Sequence, residues 1–295
     1  MKIAFIGLGT MGIHMAGHLV AAGHEVVACD EAPGRAELLQ GAARIAADAA
    51  DAVAGADVAI TSLPSVKIVE HVFLGENGLV AAAAPGTVLV DMSTSPPTLA
   101  RRIHEAAAAK GLPFLDAPVS GGPTGAEAAT LTIMVGGDAD VSAKLQPAFE
   151  AMGSLVRHVG GPGAGQAAKL CNNLMAGCNM AALAESSAIA KAEGIDPEVF
   201  YELVTASTGD SRVMRTRFPL AGASEKHPSS HGWKPMFALD LIVKDMELAH
   251  DLAASHGIES EMTDQALAQY RKGQELGVGA LDYSAVFLVK RPDAR

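Results

Sequence analysis

Short apolar runs alternate with stretches of helical period through the first half of the chain. Lys2–Ile6, Glu25–Cys29, Val58–Thr61 and Val88–Val90 read as strands, and the spacing of apolar positions around 10–22, 34–41, 65–73 and 96–110 is that of helices. Strand and helix in strict alternation predict a mainly parallel sheet covered by helices on both faces, a doubly wound α/β domain. Further strands are expected at Pro113–Leu115, Leu131–Val135 and Leu155–His158, with a helix between Asp140 and Met152.

The rhythm changes after His158. A glycine-rich break, VGGPGAGQ, precedes a helical run from about Ala164 to Glu193, which would be roughly 45 Å long at the α-helical rise. Gly194 is placed to end it as a C-cap. Segments near 197–206, 211–217, 237–256, 260–275 and 283–290 are also helical by period, with loops at 218–236 and 277–282. The expected organisation is an α/β domain over 1–162 and an all-α domain over 163–295, joined by the long interdomain helix, with room for a cleft.

Composition narrows the function classes. Hydrophobic residues make up 49% and charged residues 19%, but no apolar stretch approaches the length of a membrane span, so no membrane association is expected. With 22 basic against 33 acidic residues the net charge is −11, and no Lys/Arg cluster interleaved with aromatics suggests nucleic-acid binding. Cys29, Cys171 and Cys178 form neither an even disulfide framework nor a metal-ligand spacing, so no metal is expected and a cytoplasmic home is. Met1 and Lys2 run straight into the first strand, so no signal segment is expected.

Candidate chemistry begins at GLGTMG, residues Gly7, Leu8, Gly9, Thr10, Met11 and Gly12. The GxGxxG spacing follows a strand, opens a helix and is followed by an acidic residue about 20 positions on, the context that distinguishes a Rossmann-type dinucleotide site from a glycine turn that merely packs. Gly7 permits the tight turn, Gly9 lets the backbone approach a pyrophosphate, and Gly12 lets helix and sheet pack closely. The helix N-terminus supplies N–H groups to the anion. Asp30, at the end of the second strand, would accept from ribose hydroxyls and repel a 2′-phosphate, favouring NAD over NADP. Glu31 strengthens that repulsion and Arg35 weakens it. The alternative for Asp30 is a plain turn cap.

In GPGAGQAAKLCNN, Lys169 and Asn173 are four residues apart and share a face of the long helix. A lysine amine whose pKa falls from about 10.4 toward neutrality can take or return a hydroxyl proton, and an asparagine amide one turn away can orient the same oxygen. Spacing alone leaves open that Lys169 is a solvated surface charge.

Four ordered blocks, GLGTMG, DAPVSGG at 116–122, GAGQAAKLCNN at 163–173 and FALDLIVKDMELA at 237–249, resemble the β-hydroxyacid dehydrogenase family over essentially the whole chain. That family includes 3-hydroxyisobutyrate dehydrogenases and tartronate semialdehyde reductases. The resemblance implies an NAD-dependent oxidoreductase that transfers a hydride between nicotinamide and a small 3-hydroxy acid, with Lys169 as general acid/base and Asn173 as its orienting partner. It implies a substrate-carboxylate site at Ser120, Gly121 and Gly122. It also implies cofactor contacts at Leu63, Pro64 and Thr94 and from Lys244, with Asp245 as the structural companion of Lys244. A homodimer or homotetramer is expected on the same basis. The substrate side-chain pocket is expected in 207–237, where Ser207, Ser211, Arg212, Trp233 and Phe237 are candidates. The alternatives are a short-aldehyde reductase of the tartronate semialdehyde type and a dinucleotide-binding scaffold without turnover.

Other signals carry less. His14 and His18 have helical-ligand spacing but lack the glutamate of HExxH chemistry, and are expected to be surface or packing residues. Cys171 and Cys178 are expected as small buried hydrophobes, Met175 and Met180 as core, and Glu185 as a helix-surface charge.

Overall fold

The structure is a computed structural model that describes residues 1–39 and 41–291. The chain divides into two compact units, 1–169 and 170–295. The division falls between Lys169 and Leu170.

The first unit is built on a sheet of nine strands among the described residues: β1 (Lys2–Ile6), β2 (Glu25–Cys29), β3 (Arg44–Ile45), β4 (Val58–Thr61), β5 (Val88–Asp91), β6 (Phe114–Asp116), β7 (Val119–Ser120), β8 (Leu131–Gly137) and β9 (Gly153–Gly160). Their order is β3-β2-β1-β4-β5-β6-β8-β7, with β9 also paired to β8. Every pair is parallel except β6 with β8 and β7 with β8. Between the strands lie α1 (Gly12–Ala21), α2 (Ala49–Val53), α3 (Val66–Leu74), α4 (Leu79–Ala82), α5 (Pro97–Ala108), α6 (Gly122–Glu127) and α7 (Ala139–Met152). Alternate strand residues feed two cores: Ile3, Phe5, Val26, Ala28, Val58 and Ile60 on one face, Ala4, Val27, Ala59, Leu89 and Phe114 on the other. Burial on both faces is why these strands appear as unbroken apolar runs.

One row crosses the sheet at the carboxyl ends of its parallel strands. Cys29 pairs with Ile6, Ile6 with Thr61, Thr61 with Asp91, and Asp91 with Asp116. The loops that leave this row begin at Gly7, Asp30, Ser62, Met92 and Ala117, and an open parallel sheet places its ligands at this edge.

Helix α8 (Ala164–Ala192) runs across the division of the chain. Gly194 takes a left-handed φ of 73° and the N–H of Ile195 returns to the carbonyl of Ala190 at 3.0 Å, a C-terminal stop of the expected kind. The second unit continues with α9 (Pro197–Thr205), α10 (Arg212–Arg217), α11 (Leu239–Ser255) and α12 (Glu261–Glu275). Its core gathers Met180, Phe218, Trp233, Leu239, Met246, Tyr270 and Phe287. A Cβ on Gly177 would collide with the Met246 sulfur, so α8 and α11 approach closely there. Fully buried Asp282 accepts from the N–H groups of Met236 and Phe237, at 3.2 and 3.1 Å, and so fixes the end of the 218–236 loop.

Several expectations change. The helix expected over 34–41 is a single 3₁₀ turn, Ala36–Leu39, because Pro33 and Gly34 precede it and Gly41 at φ 74° follows. The segment 283–290 is likewise 3₁₀, Tyr283–Val289. Strands β3 and β7 and helices α2, α4 and α6 were not expected, each being too short to show a period. Cys171 is exposed and Met175 is 63% exposed, whereas Met180 is buried. The buried face of α8 here runs through Asn173, Gly177, Met180 and Ala184, leaving Cys171 and Met175, four apart, on the outer face. Cys178 is half-buried. Glu185 is a surface charge paired with Lys290 at 2.9 Å. His18 donates to the carbonyls of Ala126 and Glu127, so it ties α1 to α6. No helix among the described residues is long and apolar enough to cross a membrane.

Candidate functional site

The glycine loop is shaped by its neighbours. Gly7 has φ 92° and a Cβ there would strike the Ser62 carbonyl oxygen, while one on Gly12 would strike the carbonyl oxygen of Gly7. At Gly9 nothing lies within 4 Å of an added Cβ. Two glycines thus close the turn, and the third faces open space beside the exposed Thr10 at the start of α1. That open approach to backbone N–H groups suits a dinucleotide pyrophosphate. Buried Leu8 does not point outward; its N–H donates to an oxygen of Asp30 at 2.5 Å, and the other Asp30 oxygen accepts from Ala32 N–H at 2.8 Å. Asp30 therefore caps its own turn and holds the glycine loop, and a carboxylate retains lone pairs for ribose hydroxyls.

The next two loops are joined by a buried polar network. Asp91 accepts from Thr61 Oγ1 at 2.9 Å, from Ser93 N–H at 3.0 Å and from Ser95 Oγ at 3.3 Å. Ser93 Oγ accepts from Leu63 N–H at 2.8 Å, which sets the Leu63–Pro64 pair against the loop that carries half-buried Thr94. Burial pushes the Asp91 carboxyl up, against the lowering effect of its hydroxyl and N–H donors.

Gln166, on the first turn of α8, reaches the same loop from the other side. Its Nε2 donates to the Ser93 carbonyl at 2.8 Å and its Oε1 accepts from Ser95 N–H at 3.0 Å, so its amide grips both neighbours of Thr94. The helix start itself is held by Asp116, whose two oxygens accept from Gly163 N–H and Gln166 N–H, each at 2.8 Å. Burial raises the Asp116 carboxyl to about 6, with the charge of Asp91 adding to the rise and the Gln166 and Gly163 N–H groups opposing it. A Cβ on Gly165 would strike the Asp116 carbonyl oxygen. Lys169, one turn beyond Gln166, is 8% exposed.

Beyond β6, Ser120 ends β7 in register with Thr132. Gly121 and Gly122 follow at φ 143° and 65°, conformations that L side chains rarely adopt. The bare, partly exposed backbone there is suited to an anionic group. In the second unit, Asn173 is 5% exposed; its Nδ2 donates to one oxygen of buried Asp245 at 2.6 Å, and its Oδ1 accepts from Asn172 at 3.0 Å. The other Asp245 oxygen pairs with Lys244 Nζ at 3.1 Å. The expected companion of Lys244 is thus a bridge between Lys244 and Asn173.

The first unit brings together Leu63, Thr94 and the Lys169-bearing end of α8 through Asp91, Ser93, Gln166 and Asp116. None of these four linking residues was singled out from sequence, although Asp116 and Gln166 stand inside two of the quoted blocks. For Asp91 and Asp116 the available signal was a polar residue closing an apolar strand, one shared by ordinary turn caps.

Residues 2–161 match the family model described as the NAD binding domain of 6-phosphogluconate dehydrogenase. Residues 163–289 match that described as NAD-binding of NADP-dependent 3-hydroxyisobutyrate dehydrogenase. The chain is similar to an NAD-dependent L-serine dehydrogenase of Pseudomonas aeruginosa, 42% identical over 97% of this chain and 96% of the relative. It is 41% identical to a 2-(hydroxymethyl)glutarate dehydrogenase of Eubacterium barkeri over 98% of this chain and 94% of the other. Among solved structures, the 3-hydroxyisobutyrate dehydrogenase of Mycobacterium tuberculosis with L-serine matches with a TM-score of 0.91 at 38% identity, covering 98% of this chain and 99% of that one.

Proposed function

Because the chain belongs to the β-hydroxyacid dehydrogenase family, we propose that it oxidises the primary alcohol of a 2-substituted 3-hydroxypropanoate, with Lys169 as the proton-transfer residue. It is an oxidoreductase acting on the CH–OH group of a hydroxy acid with a nicotinamide dinucleotide. The named substrates of the three relatives, L-serine, 2-(hydroxymethyl)glutarate and 3-hydroxyisobutyrate, share a carboxylate, a substituted carbon next to it, and a terminal CH₂OH. A 3-hydroxyisobutyrate-like acid is the substrate we assign here.

The dinucleotide would be held by the backbone of Gly7 to Gly12, by Asp30, and by Leu63, Pro64, Thr94 and Lys244. The open space at Gly9 supports the fit. Asp30 supports NAD over NADP, since its carboxylate would oppose a 2′-phosphate. When bound, the nicotinamide supplies the redox chemistry by accepting hydride from the alcohol carbon. Ser120, Gly121 and Gly122 bind the substrate carboxylate. Lys169 takes the hydroxyl proton during oxidation and returns it in reduction. Asn173, its amide oriented by Asp245, hydrogen-bonds the reacting oxygen. The free cysteines support a reducing, cytoplasmic setting. The exposed apolar side chains of Met175, Ile189 and Met262 support a homodimer or homotetramer.

One observation carries the assignment: Lys169 is buried just beyond a helix start that Asp116 and Gln166 bind to the carboxyl edge of the sheet. NADH formation from 3-hydroxyisobutyrate and L-serine tests it. Lys169→Ala is expected to keep NAD affinity and to lose at least about 10³-fold in turnover, in the range of general acid–base contributions. Turnover near that of the wild type would overturn the assignment. Faster turnover with NADP than with NAD would overturn the role given to Asp30.

A further inference from the structure

The two amide atoms of Gln166 both bond backbone, and the backbone they bond flanks a single residue. The donor goes to Ser93 and the acceptor to Ser95, on either side of Thr94. Gln166 is fully buried and its own N–H is bound to Asp116, so neither end of the grip is free to drift. Ser93 Oγ extends the connection to Leu63, and Asp91 bonds both serines. The result is a continuous path of hydrogen bonds from the Leu63–Thr94 loops to the turn of α8 that precedes Lys169.

A glutamine needed only to fill space would be replaceable by a leucine or methionine of similar volume. One needed only to satisfy a lone buried N–H or carbonyl would use one atom of its amide. Here both atoms are used, in opposite senses, on one three-residue loop, which fixes the translation and the rotation of the helix start against that loop. Catalysis in a site of this kind depends on such registration, because misplacement by about 1 Å can cost on the order of 10²-fold in rate.

We propose that Gln166 is a positioning residue: it registers the Lys169-bearing turn of α8 against the Thr94 loop, so that the amine and the nicotinamide-side loops are held as one unit. This rests on the roles given above to Lys169 and Thr94. The device acts on the rate of the chemical step and leaves the affinity for either ligand nearly unchanged, since Gln166 offers no atom to them.

The test measures kcat, KM for 3-hydroxyisobutyrate, NAD dissociation by calorimetry, and the circular dichroism melt of Gln166→Leu, Gln166→Glu and Lys169→Ala. Gln166→Leu removes both bonds; Gln166→Glu keeps the shape and removes the donor. Both glutamine variants are expected to fold, to keep KM and the NAD dissociation constant within about threefold, and to lose kcat by about 10²-fold. The primary deuterium isotope effect on kcat is expected to rise as chemistry becomes rate-limiting. A folded variant with kcat within about threefold of wild type overturns the proposal, and so does a loss of NAD affinity as large as the loss of turnover. Failure of both variants to fold would assign the two bonds to stability and overturn it as well. Lys169→Ala separates the premises: if it remains active the catalytic assignment falls, whereas an inactive Lys169→Ala beside a fully active Gln166→Leu removes the positioning role alone.

Discussion

Asn173 donates its side-chain amide to Asp245 across 72 residues of sequence, at 2.6 Å and with both groups buried. Asp245 also holds Lys244, so a single carboxylate fixes two of the residues proposed to act on substrate and cofactor. Asp245→Ala leaves a buried donor unsatisfied, which costs about 1–3 kcal/mol. The expected result is a loss of stability of that size in urea melts of the second unit, together with a drop in kcat of about 10-fold to 10²-fold that Asp245→Asn, which keeps an acceptor, largely avoids. Equal behaviour of the alanine and asparagine variants would show that the bond does not orient Asn173.

The three glycines of GLGTMG are separable by experiment, because only two of them are packed. Gly12→Ala drives a Cβ into the Gly7 carbonyl, an overpacking expected to cost about 1–3 kcal/mol by calorimetry. Gly9→Ala meets nothing and is expected to melt within about 0.5 kcal/mol of wild type. It is expected nonetheless to weaken NAD binding at least about tenfold, because the methyl enters the space assigned to the pyrophosphate. Undiminished NAD affinity in Gly9→Ala would move the dinucleotide elsewhere.

Asp116 predicts an unusual pH dependence. Its folded carboxyl titrates near 6, above its ordinary value of 3.8. In that window the folded chain keeps a proton that the unfolded chain gives up. The contribution of this group to stability is therefore fully present below 3.8 and is lost as the pH rises through about 6. Carbon-13 NMR of the side-chain carboxyl is expected to give a midpoint near 6, and Asp116→Asn is expected to remove this part of the pH slope of stability. A midpoint close to the ordinary carboxylate value would refute the prediction.

The long elements were legible because periodicity accumulates over many residues. Helix α8 keeps its expected bounds to within a residue of its end, while β1, β2 and β4, of four or five residues, keep theirs because strands buried on both faces stand out as unbroken apolar runs. The two-residue strands β3 and β7 are too short to stand out as apolar runs, and the six-residue α6 covers fewer than two helical turns, too few to show a period. The glycine loop and Asp30 were visible because each has a fixed local spacing, whereas the roles expected of Lys169 and Asn173 came from the family resemblance, their spacing alone being equally that of a surface charge. Gln166 and Asp116 were not assigned roles, because their meaning lies in Ser93, Ser95 and Gly163, which adjoin them only after folding. Met175 shows the opposite failure: its apolar side chain suggested burial, but the turn of the helix places it on the outer face.

The chain has one tryptophan, Trp233, and it is buried in the core of the second unit. All the named strands, in contrast, belong to the first. Indole emission during denaturation therefore records the melting of the helical unit, while the β component of far-ultraviolet dichroism records the melting of the sheet. Two natural spectroscopic signals thus report on separate halves of the molecule without any label, and the gap between their midpoints measures how far those halves unfold as one cooperative system.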